Sequence, residues 1–396
     1  MSASLVGSEM CIRDRSMRND VFINRLSPYL PNNPVSNDEM EDYLGLIEGK
    51  ISRVRRIVLK QNGINTRYYA LNKKQEITHT NAELAANAIN GLFTSEDEMK
   101  SVKLLTTATS IPDQVLPSHA SMVHGLLKSA DNMELFATAG VCLTSLQALK
   151  IAYLSVAAGD KENAICCASE LVSATLLSKH YDAEYEKCHS IGENPYFGFE
   201  KDFLRFMLSD GACALLLERT PNLNHLSLKI EWIEMESYAN SLPTCMLLGG
   251  NFADDGEVVS WKSFDSSDLI EKSIFVVKQD IRLLKEYGIK HWADHVEHTL
   301  SNHAISADEV KYVIPHVSSM FFYHELLKEF KLRDIELGEE KWFTNLTWVG
   351  NMGSASIFVA LEEFMRTKPL GKGDKILLLV PESGRFSFGT ALLTVV

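Results

Sequence analysis

The stretch "AGVCLTSLQAL" (residues 139–149) has a counterpart late in the chain, "VGNMGSASIFVAL" (residues 349–361). Each contains a glycine, a polar residue and small residues, followed by apolar residues at helical spacing, which predicts the start of a helix. Cys142 stands at the first predicted helix start, and Asn351 stands at the matching position of the second. The chain therefore repeats a loop-to-helix unit with different polar residues in the two copies.

Three further pairs of stretches repeat in the same order. They are "MKSVKLLTTATS" (99–110) with "ADEVKYVIPHVS" (307–318), "GDKENAICCASE" (159–170) with "GDKILLLVPESG" (373–384), and "SDGACALLLER" (209–219) with "SFGTALLTVV" (387–396). Four matched blocks, spaced far more widely than a solenoid repeat, indicate a duplicated domain. Alternating strand and helix patterns predict an α/β fold with parallel sheets and crossover helices in each half. We expect an N-terminal half over residues 17–225 and a C-terminal half over residues 226–396.

Composition and charge exclude several classes of protein. Of the 396 residues, 45% are hydrophobic and 23% are charged, as in ordinary globular proteins. Neither an apolar run long enough to cross a membrane nor a secretory signal is present, so we expect a cytoplasmic protein without a membrane span. The net charge of −13 argues against non-specific binding of nucleic acid. Residues 1–16 show no packing pattern, and we interpret them as a non-native leader or sequencing artefact.

The chain has seven cysteines, of which Cys11 lies in that leader. The other six show no C-x-x-C spacing and no histidine-rich companion, which argues against a structural zinc site and a disulfide framework. Cys142 stands out among them, because a thiol at a helix N-terminus loses its proton readily and becomes a nucleophile.

The two halves differ at the positions that could carry chemistry. Cys142 is matched by Asn351, and the strand end "TTATS" of the first half is matched by "IPHVS", with His316, in the second. A pseudo-twofold axis between the halves would bring equivalent loops together. We therefore expect Cys142, His316 and Asn351 to converge on one cleft at the carboxyl ends of the strands, where α/β proteins usually bind ligands.

These residues carry a resemblance to a known family. The cysteine in "AGVCLTSLQAL", the "PH" at 315–316 and "GNMGSAS" (350–356) resemble the β-ketoacyl-acyl-carrier-protein synthase III branch of the thiolase superfamily. Further matches extend the resemblance over nearly the whole chain from Met17. It implies a duplicated thiolase-like fold with α-β-α-β-α layers. Among subgroups, the chain is most similar to ketosynthases of dialkylresorcinol and flexirubin-type aryl lipids.

The resemblance also implies a mechanism. Cys142 would accept an acyl group from a thioester, its thiolate favoured by the helix dipole. His316 and Asn351 would donate hydrogen bonds to the enolate formed by decarboxylation of a malonyl- or β-ketoacyl-type thioester. The backbone N–H groups of Cys142 and Gly384 would bind the oxygen of the acyl-enzyme. No carboxylate is required near the thiol for this chemistry.

Partners follow from the same resemblance. We expect acyl-coenzyme A or acyl-carrier-protein thioesters as substrates, no tightly bound cofactor and no metal. The basic cluster "RVRR" (53–56) is a candidate docking patch for an acidic carrier protein, although an ordinary solvated face fits it equally well. We expect a homodimer in which strands of the "NAICCAS" type pair across a twofold axis. The pathway would be fatty-acid, polyketide or aryl-lipid biosynthesis.

Other functions remain open at this point. A biosynthetic thiolase would need a second cysteine, which "PESGRFSFG" (381–389) lacks. A hydroxymethylglutaryl-type synthase would need a glutamate near the thiol, and Glu170 or Glu193 could supply it. A cysteine-dependent acyltransferase is disfavoured by the presence of Asn351, and a non-condensing partner subunit is disfavoured by the presence of Cys142.

Overall fold

The computed structural model describes residues 19–181, 202–253 and 255–396. Its centre is a sheet of nine strands with the order β7-β8-β9-β6-β1-β5-β4-β2-β3. These strands are β1 (Phe22–Tyr29), β2 (Leu104–Thr109), β3 (Glu134–Ala139), β4 (Asn163–Glu170), β5 (Gly211–Glu218), β6 (Leu228–Ser237), β7 (Tyr312–Pro315), β8 (Lys375–Glu382) and β9 (Ser387–Val395).

The helices lie between and outside the strands. Their bounds are Met40–Leu44, Arg55–Asn62, Asn81–Asn90, Glu96–Ser101, His119–Leu126, Thr144–Ala157, 202–207, Ser266–Glu271, Ile281–Leu283, Ile289–Asn302, Met320–Leu332, Leu346–Val349 and Ser356–Thr367. Short paired strands complete the chain: Val35–Ser36 with Thr66–Arg67, Met246–Leu247 with Lys278–Gln279, and Gly250–Phe252 with Val258–Ser260.

The strands of both halves are buried on two faces, which produces the layers. In β4, Ala164, Cys166 and Ala168 pack toward the helices Thr144–Ala157 and Ser356–Thr367. The alternate residues Ile165 and Cys167 pack toward the helix Asn81–Asn90 on the other side. The period of two along a strand explains this division.

The second half repeats this arrangement. Ile376, Leu378 and Val380 of β8 share the central core with the same two helices, and Leu377 and Leu379 face an outer core. That outer core contains residues of the helices Ile289–Asn302 and Met320–Leu332. The predicted α-β-α-β-α layers of a thiolase-like fold are confirmed.

The prediction of parallel sheets was wrong in part. Strands β2, β3 and β4 pair in parallel, as do β7 and β8, but the remaining pairs of the large sheet are antiparallel. The reason is clearest at β8 and β9, which are joined by the four-residue turn 383–386. So short a connection can only return the chain antiparallel, whereas parallel neighbours need a crossover of a dozen or more residues.

The strand that was expected to pair across a dimer axis lies inside the sheet. β4, which contains "NAICCAS", is hydrogen-bonded to β2 on one side and to β5 on the other, so it has no free edge. The open edge of this half is β3, with Phe136 and Ala137 exposed. The expected pairing through β4 is therefore wrong, and the homodimer itself stays a prediction.

Three further expectations concern the domain boundary, the leader and a membrane span. The proposed boundary between residues 225 and 226 falls between β5 and β6, and it remains a prediction. The leader over residues 1–16 lies outside the described residues. Within the described part of the chain, no helix is both long and apolar enough to cross a membrane.

Candidate active site

Cys142 lies in the short loop between β3 and the helix Thr144–Ala157. Its carbonyl oxygen accepts a hydrogen bond from the Ser145 hydroxyl at 3.0 Å, which ties the loop to the first turn of the helix. Cys142 is partly exposed and packs against the central core. The residue therefore lies directly before this helix, as predicted.

The electrostatic surroundings of the thiol differ from the prediction. Burial raises the pKa of Cys142, and the negative charges of Glu382 and Glu170 raise this pKa further. This shift is opposite in direction to the expected effect of the helix dipole on the thiolate, which stays a prediction. Two carboxylates lie near a thiol whose proposed chemistry needs none.

Glu170 ends β4 and is fully buried. Its Oε1 accepts four hydrogen bonds, from the backbone N–H and hydroxyl of Ser110 at 2.9 and 2.7 Å and from those of Ser354 at 3.1 and 2.6 Å. Burial raises the pKa of Glu170, and these hydrogen bonds offset only part of that effect. Since Ser110 belongs to the first half and Ser354 to the second, this carboxylate joins the two halves at the site.

The backbone N–H and the backbone carbonyl of Asn351 are both hydrogen-bonded. Its N–H donates to the carbonyl of Met207 at 2.9 Å, and its carbonyl accepts from Ser209 at 2.8 Å. The side-chain Oδ1 accepts the N–H of Gly353 at 2.9 Å. In the described part of the chain, no group accepts a hydrogen bond from Nδ2, so the amide donor is the end left for a substrate.

Two glycines explain the sequence "GNMG" around Asn351. Gly350 has φ +75°, and a Cβ there would lie 2.8 Å from Cβ of Ser209. Gly353 has φ +50°, and a Cβ there would lie 3.0 Å from Oε1 of Glu170. Both positions combine a left-handed backbone with a close approach, which only glycine accommodates without cost.

His316 directly follows β7 and is buried. Its backbone N–H donates to the carbonyl of Leu379 at 2.8 Å, which fixes the residue beside β8. Burial lowers the pKa of His316 to about 4, so the imidazole is neutral near pH 7. The ring lines a small cavity that Gly350 and Ser356 also line. The hydroxyl of Ser356 donates to Oδ1 of Asn351 at 3.4 Å.

Gly384 lies in the turn between β8 and β9. A Cβ built on Gly384 would lie 3.1 Å from Cγ2 of Val141, the residue before Cys142. Its carbonyl accepts the N–H groups of Cys245 and Met246 at 2.9 and 3.1 Å, so these two residues hold the turn. This position beside the nucleophile suits the predicted contribution to an oxyanion-binding pair.

Glu382 is the residue that the sequence reasoning missed. It ends β8, and its Oε2 accepts the N–H of Val141 at 3.1 Å. Burial raises the pKa of Glu382, with the N–H groups of Val141 and Leu143 opposing the shift. One feature of the sequence could have drawn attention to Glu382. The stretch "PESGRFSFG" stands where the family that the chain resembles usually has a glycine-rich loop.

Glu170 joins two of the predicted residues indirectly, because it acts on the charge of Cys142 and bonds to the loop that carries Asn351. The convergence of Cys142, His316 and Asn351 on one cleft stays a prediction. The chemical roles of these residues and of Gly384 stay predictions. Glu193, the other candidate carboxylate, lies outside the described residues.

His119 and the basic cluster "RVRR" mainly contact residues near them in the fold. His119 is buried, and its Nε2 lies 2.9 Å from the hydroxyl of Ser169. In "RVRR", Arg55 pairs with Glu41 at 2.7 Å, whereas Arg53 and Arg56 are exposed. Over the ranges that the structure describes, no group of three or more His, Cys, Asp or Glu side chains is placed to hold a metal ion.

Comparisons with known proteins find similarity to β-ketoacyl-acyl-carrier-protein synthase III proteins. Residues 300–395 match the family model described as 3-oxoacyl-acyl-carrier-protein (ACP) synthase III C terminal. A beta-ketoacyl-acyl-carrier-protein synthase III of Clostridium novyi is 24% identical over 376 residues, which cover 94% of this chain and 98% of that protein. A protein of the same name from Clostridium perfringens is 25% identical over 92% of this chain and 96% of its own. The resemblance found in the sequence is confirmed, while the subgroup stays a prediction.

Solved structures share the fold at low identity. A variant of Xanthomonas campestris OleA with bound lauric acid and lauroyl-CoA superposes with a TM-score of 0.72 at 19% identity, covering 96% of this chain and 99% of that one. The 3-oxoacyl-(acyl carrier protein) synthase III, FabH, of Pseudomonas aeruginosa gives a TM-score of 0.69 at 18% identity, with 95% and 98% covered. AbyA1, a tetronic acid condensing enzyme, gives 0.71 at 18% identity, with 94% and 99% covered.

Proposed function

We propose that the chain, which is similar to β-ketoacyl-acyl-carrier-protein synthase III proteins over most of its length, is a ketosynthase. It loads an acyl group on Cys142 and condenses this group with a second, carrier-bound thioester. The products enter fatty-acid, polyketide or aryl-lipid biosynthesis. The observation that supports the proposal is that Glu170, which acts on the charge of Cys142 in the first half, also bonds to Ser354 in the loop that carries Asn351 of the second half.

The two donors suit an enolate. The amide Nδ2 of Asn351 faces no acceptor among the described residues, because Oδ1 takes the N–H of Gly353. His316 is neutral near pH 7, with its pKa lowered by burial to about 4, so one ring nitrogen carries a proton that it can donate. Donors held in place in a buried site stabilise a developing oxyanion without reorganisation. Both residues would therefore act on the second substrate while Cys142 carries the first.

The charge of the site bears on the choice of second substrate. Glu170 and Glu382 place two carboxyl groups near Cys142. A malonyl-type thioester would bring a third carboxylate, but it forms its enolate by losing CO₂ and needs no base. A β-ketoacyl-type thioester is neutral at that end, but a base must then take its α-proton. We keep both classes as candidate extenders. Paired incubations of the acyl-enzyme with each extender, read as condensed product by mass spectrometry, test this choice.

The remaining assignments follow from the proposed chemistry. Coenzyme A or acyl carrier protein would deliver the acyl groups, and no tightly bound cofactor takes part. The exposed Arg53 and Arg56 are candidates for docking an acidic carrier protein. We place the enzyme in the cytoplasm, where such thioesters are made, and we expect it to act as a homodimer.

Intact-mass measurement of acyl loading tests the function. The protein is incubated with a panel of acyl-coenzyme A thioesters that includes lauroyl-CoA, and the mass of the chain is followed. We expect one acyl group on the wild-type protein and none on Cys142→Ala. Loading followed by transfer to an alcohol or amine, without a condensed product, would replace the ketosynthase by a plain acyltransferase.

A hydroxymethylglutaryl-type synthase is the less favoured alternative. Glu170 is at the site, but Oε1 already accepts four hydrogen bonds from Ser110 and Ser354. These donors occupy Oε1 and stabilise the charged form, although burial still leaves the pKa of Glu170 raised. With Oε1 occupied in this way, Glu170 is better suited to holding the Asn351 loop than to removing a proton.

A further inference from the structure

Ser209 holds the loop of Asn351 through both its backbone and its side chain. Its N–H donates to the carbonyl of Asn351 at 2.8 Å, and its hydroxyl donates to the carbonyl of Val349 at 2.7 Å. The same hydroxyl oxygen accepts the N–H of Tyr68 at 2.8 Å. One fully buried side chain of the first half therefore joins the segment around Tyr68 to the loop of the second half that carries Asn351.

The residues on either side of Ser209 and Asn351 fix the same loop. Asn351 forms an isolated parallel bridge with Leu208, and its N–H donates to the carbonyl of Met207 at 2.9 Å. A Cβ on Gly350 would lie 2.8 Å from Cβ of Ser209. The loop is therefore packed closely against Ser209, and the hydrogen bonds oppose its movement away from that residue.

The N-terminal segment supports this loop at two further points. The hydroxyl of Thr66 donates to the carbonyl of Trp348 at 2.6 Å, and the N–H of Asn65 donates to the carbonyl of Thr347 at 2.8 Å. The hydroxyl of Ser209 continues this row of contacts to Val349, two residues before Asn351. The row therefore ends at the residue that is proposed to act on the enolate.

The position of the Asn351 amide depends on this support. Its Oδ1 accepts the N–H of Gly353 at 2.9 Å, so the orientation of the side chain is set by the backbone of its own loop. A displacement of about 1 Å in a group that acts on the reacting atoms can lower a rate by about 100-fold. A small shift of the loop would therefore reach the reaction through Asn351.

We propose that the hydroxyl of Ser209 positions the amide of Asn351 for the enolate that forms during condensation. The proposal rests on the proposed function, because it concerns the second step of that reaction. In this role Ser209 contacts no substrate and is a positioning residue that acts only through Asn351. It should therefore affect condensation and leave the loading of Cys142 unchanged.

Ser209→Ala removes the hydroxyl and keeps the N–H that donates to Asn351. Ser227→Ala is the matched control, because the buried Ser227 hydroxyl also accepts a backbone N–H, from Asn222 at 2.9 Å, and donates to an oxygen, Oδ1 of Asn24 at 2.7 Å. Ser227 directly precedes β6, at the opposite end of β9 from the turn 383–386.

Loading and condensation are measured separately by intact mass and by product formation. We expect Ser209→Ala to load Cys142 within about twofold of the wild-type rate and to condense about 10- to 100-fold more slowly. Ser227→Ala should match the wild type in both steps. Loading that is slowed by the same factor as condensation would overturn the proposal, because the hydroxyl would then support the fold in general.

A double variant tests whether Ser209 acts through Asn351. In Asn351→Asp the amide donor is absent, so adding Ser209→Ala should slow condensation further by no more than about twofold. A merely structural role would slow the double variant by the full factor seen in Ser209→Ala alone. That result would overturn the proposal, because Ser209 would then act on another group.

Hydrogen exchange tests the contact without any substrate. Exchange of the backbone amides over residues 345–351 is followed by mass spectrometry in the wild type, Ser209→Ala and Ser227→Ala. We expect exchange about three- to tenfold faster in Ser209→Ala alone, as for the loss of one buried hydrogen bond. Unchanged exchange would overturn the proposal. If Ser209→Ala does not fold, Ser209→Cys gives the same comparison, because a thiol keeps a side chain of similar shape and forms weaker hydrogen bonds.

The positioning role and the proposed function fail in different ways. If the wild type forms no condensed product, the ketosynthase assignment fails, while hydrogen exchange still decides whether the Ser209 hydroxyl holds the loop. If the wild type and Ser209→Ala condense equally fast, the role of Ser209 fails and the function stands.

Discussion

Glu170 Oε1 lies 2.6 Å from the hydroxyl oxygen of Ser354 and 3.1 Å from its backbone nitrogen, so a carboxylate of the first half holds a loop of the second. Asn351 lies three residues before Ser354. Its Oδ1 accepts the N–H of Gly353, and its Nδ2 amide is the proposed donor to the enolate. The position of this donor therefore depends on a buried charge from the other half. Loss of that support should displace Asn351 more than Cys142.

Replacing Gly353 by alanine should disturb this support. The added Cβ would lie 3.0 Å from Oε1 of Glu170, at a backbone φ of +50°. Gly49→Ala is a matched control, because Gly49 has φ +67° and no heavy atom lies within 4 Å of its added Cβ. We expect Gly49→Ala to lower the free energy of unfolding by about 1 kcal/mol through backbone strain alone. Gly353→Ala should lose at least about 1 kcal/mol more, because Glu170 must move away from its donors.

Denaturant unfolding measures both losses, and product formation gives a second readout. Gly353→Ala should load acyl groups on Cys142 and condense them more slowly than Gly49→Ala. Equal stability losses in the two variants would mean that the contact with Glu170 does not constrain the loop.

Asn351→Asp should separate loading from condensation. Aspartate keeps an oxygen that can accept the N–H of Gly353, but it has no amide hydrogens to donate to an enolate. We expect Cys142 to load normally, followed by condensation about 100- to 1,000-fold slower, as for the loss of one oxyanion donor. His316→Ala should show the same division, because the neutral imidazole is proposed as the second donor to the enolate. Condensation at the wild-type rate in Asn351→Asp would place the enolate site elsewhere.

The duplicated fold could be predicted because its signal is repeated. The two apolar strands "NAICCAS" and "KILLLV" follow the same Gly-Asp-Lys turn, and each ends at a loop that reaches the site. Strand direction could not be predicted in the same way. A strand buried on both faces has the same apolar pattern in parallel and antiparallel sheets, and only the short turn before β9 distinguishes them.

The site was predictable in its residue types but not in its charges. Cys142, His316 and Asn351 stand at matched positions of a repeat, so their convergence follows from the symmetry. Glu382 was missed, although Glu170 ends the matched strand of the repeat. Its carboxylate reaches Val141 across 241 residues of chain, and a sequence pattern does not report so distant a contact. The raised pKa of the thiol follows first from burial and then from the charges of Glu382 and Glu170, and it was missed for the same reason.

His119 should make stability depend on pH. Burial lowers the pKa of His119 to about 4, whereas in the unfolded chain it returns to about 6.5. Between these values the unfolded chain binds the proton more readily, so stability is lost as pH falls from about 6.5 to about 4. The full shift corresponds to about 3 kcal/mol. In His119→Gln this part of the pH dependence should disappear, while replacement of the exposed His225 by Gln should leave it unchanged. Urea unfolding across this pH range provides the measurement, and parallel curves for wild type and His119→Gln would contradict the assignment.

The last prediction concerns the open edge of the sheet. β3 pairs with β2 on one side only, and Phe136 is 39% exposed on it. An unpaired strand edge offers free N–H and C=O groups to a second copy of the chain, and a lysine on the edge opposes such pairing. If the homodimer forms through β3, Ala137→Lys should shift the protein from dimer to monomer at micromolar concentration in light scattering. Leu223→Lys is the matched control, because Leu223 is 98% exposed and lies away from β3 in the turn between β5 and β6. Since Cys142 follows β3 by three residues, the monomeric variant should also load acyl groups more slowly. A wild-type protein that is already monomeric, or an Ala137→Lys variant that remains dimeric, would show that this edge is not the interface.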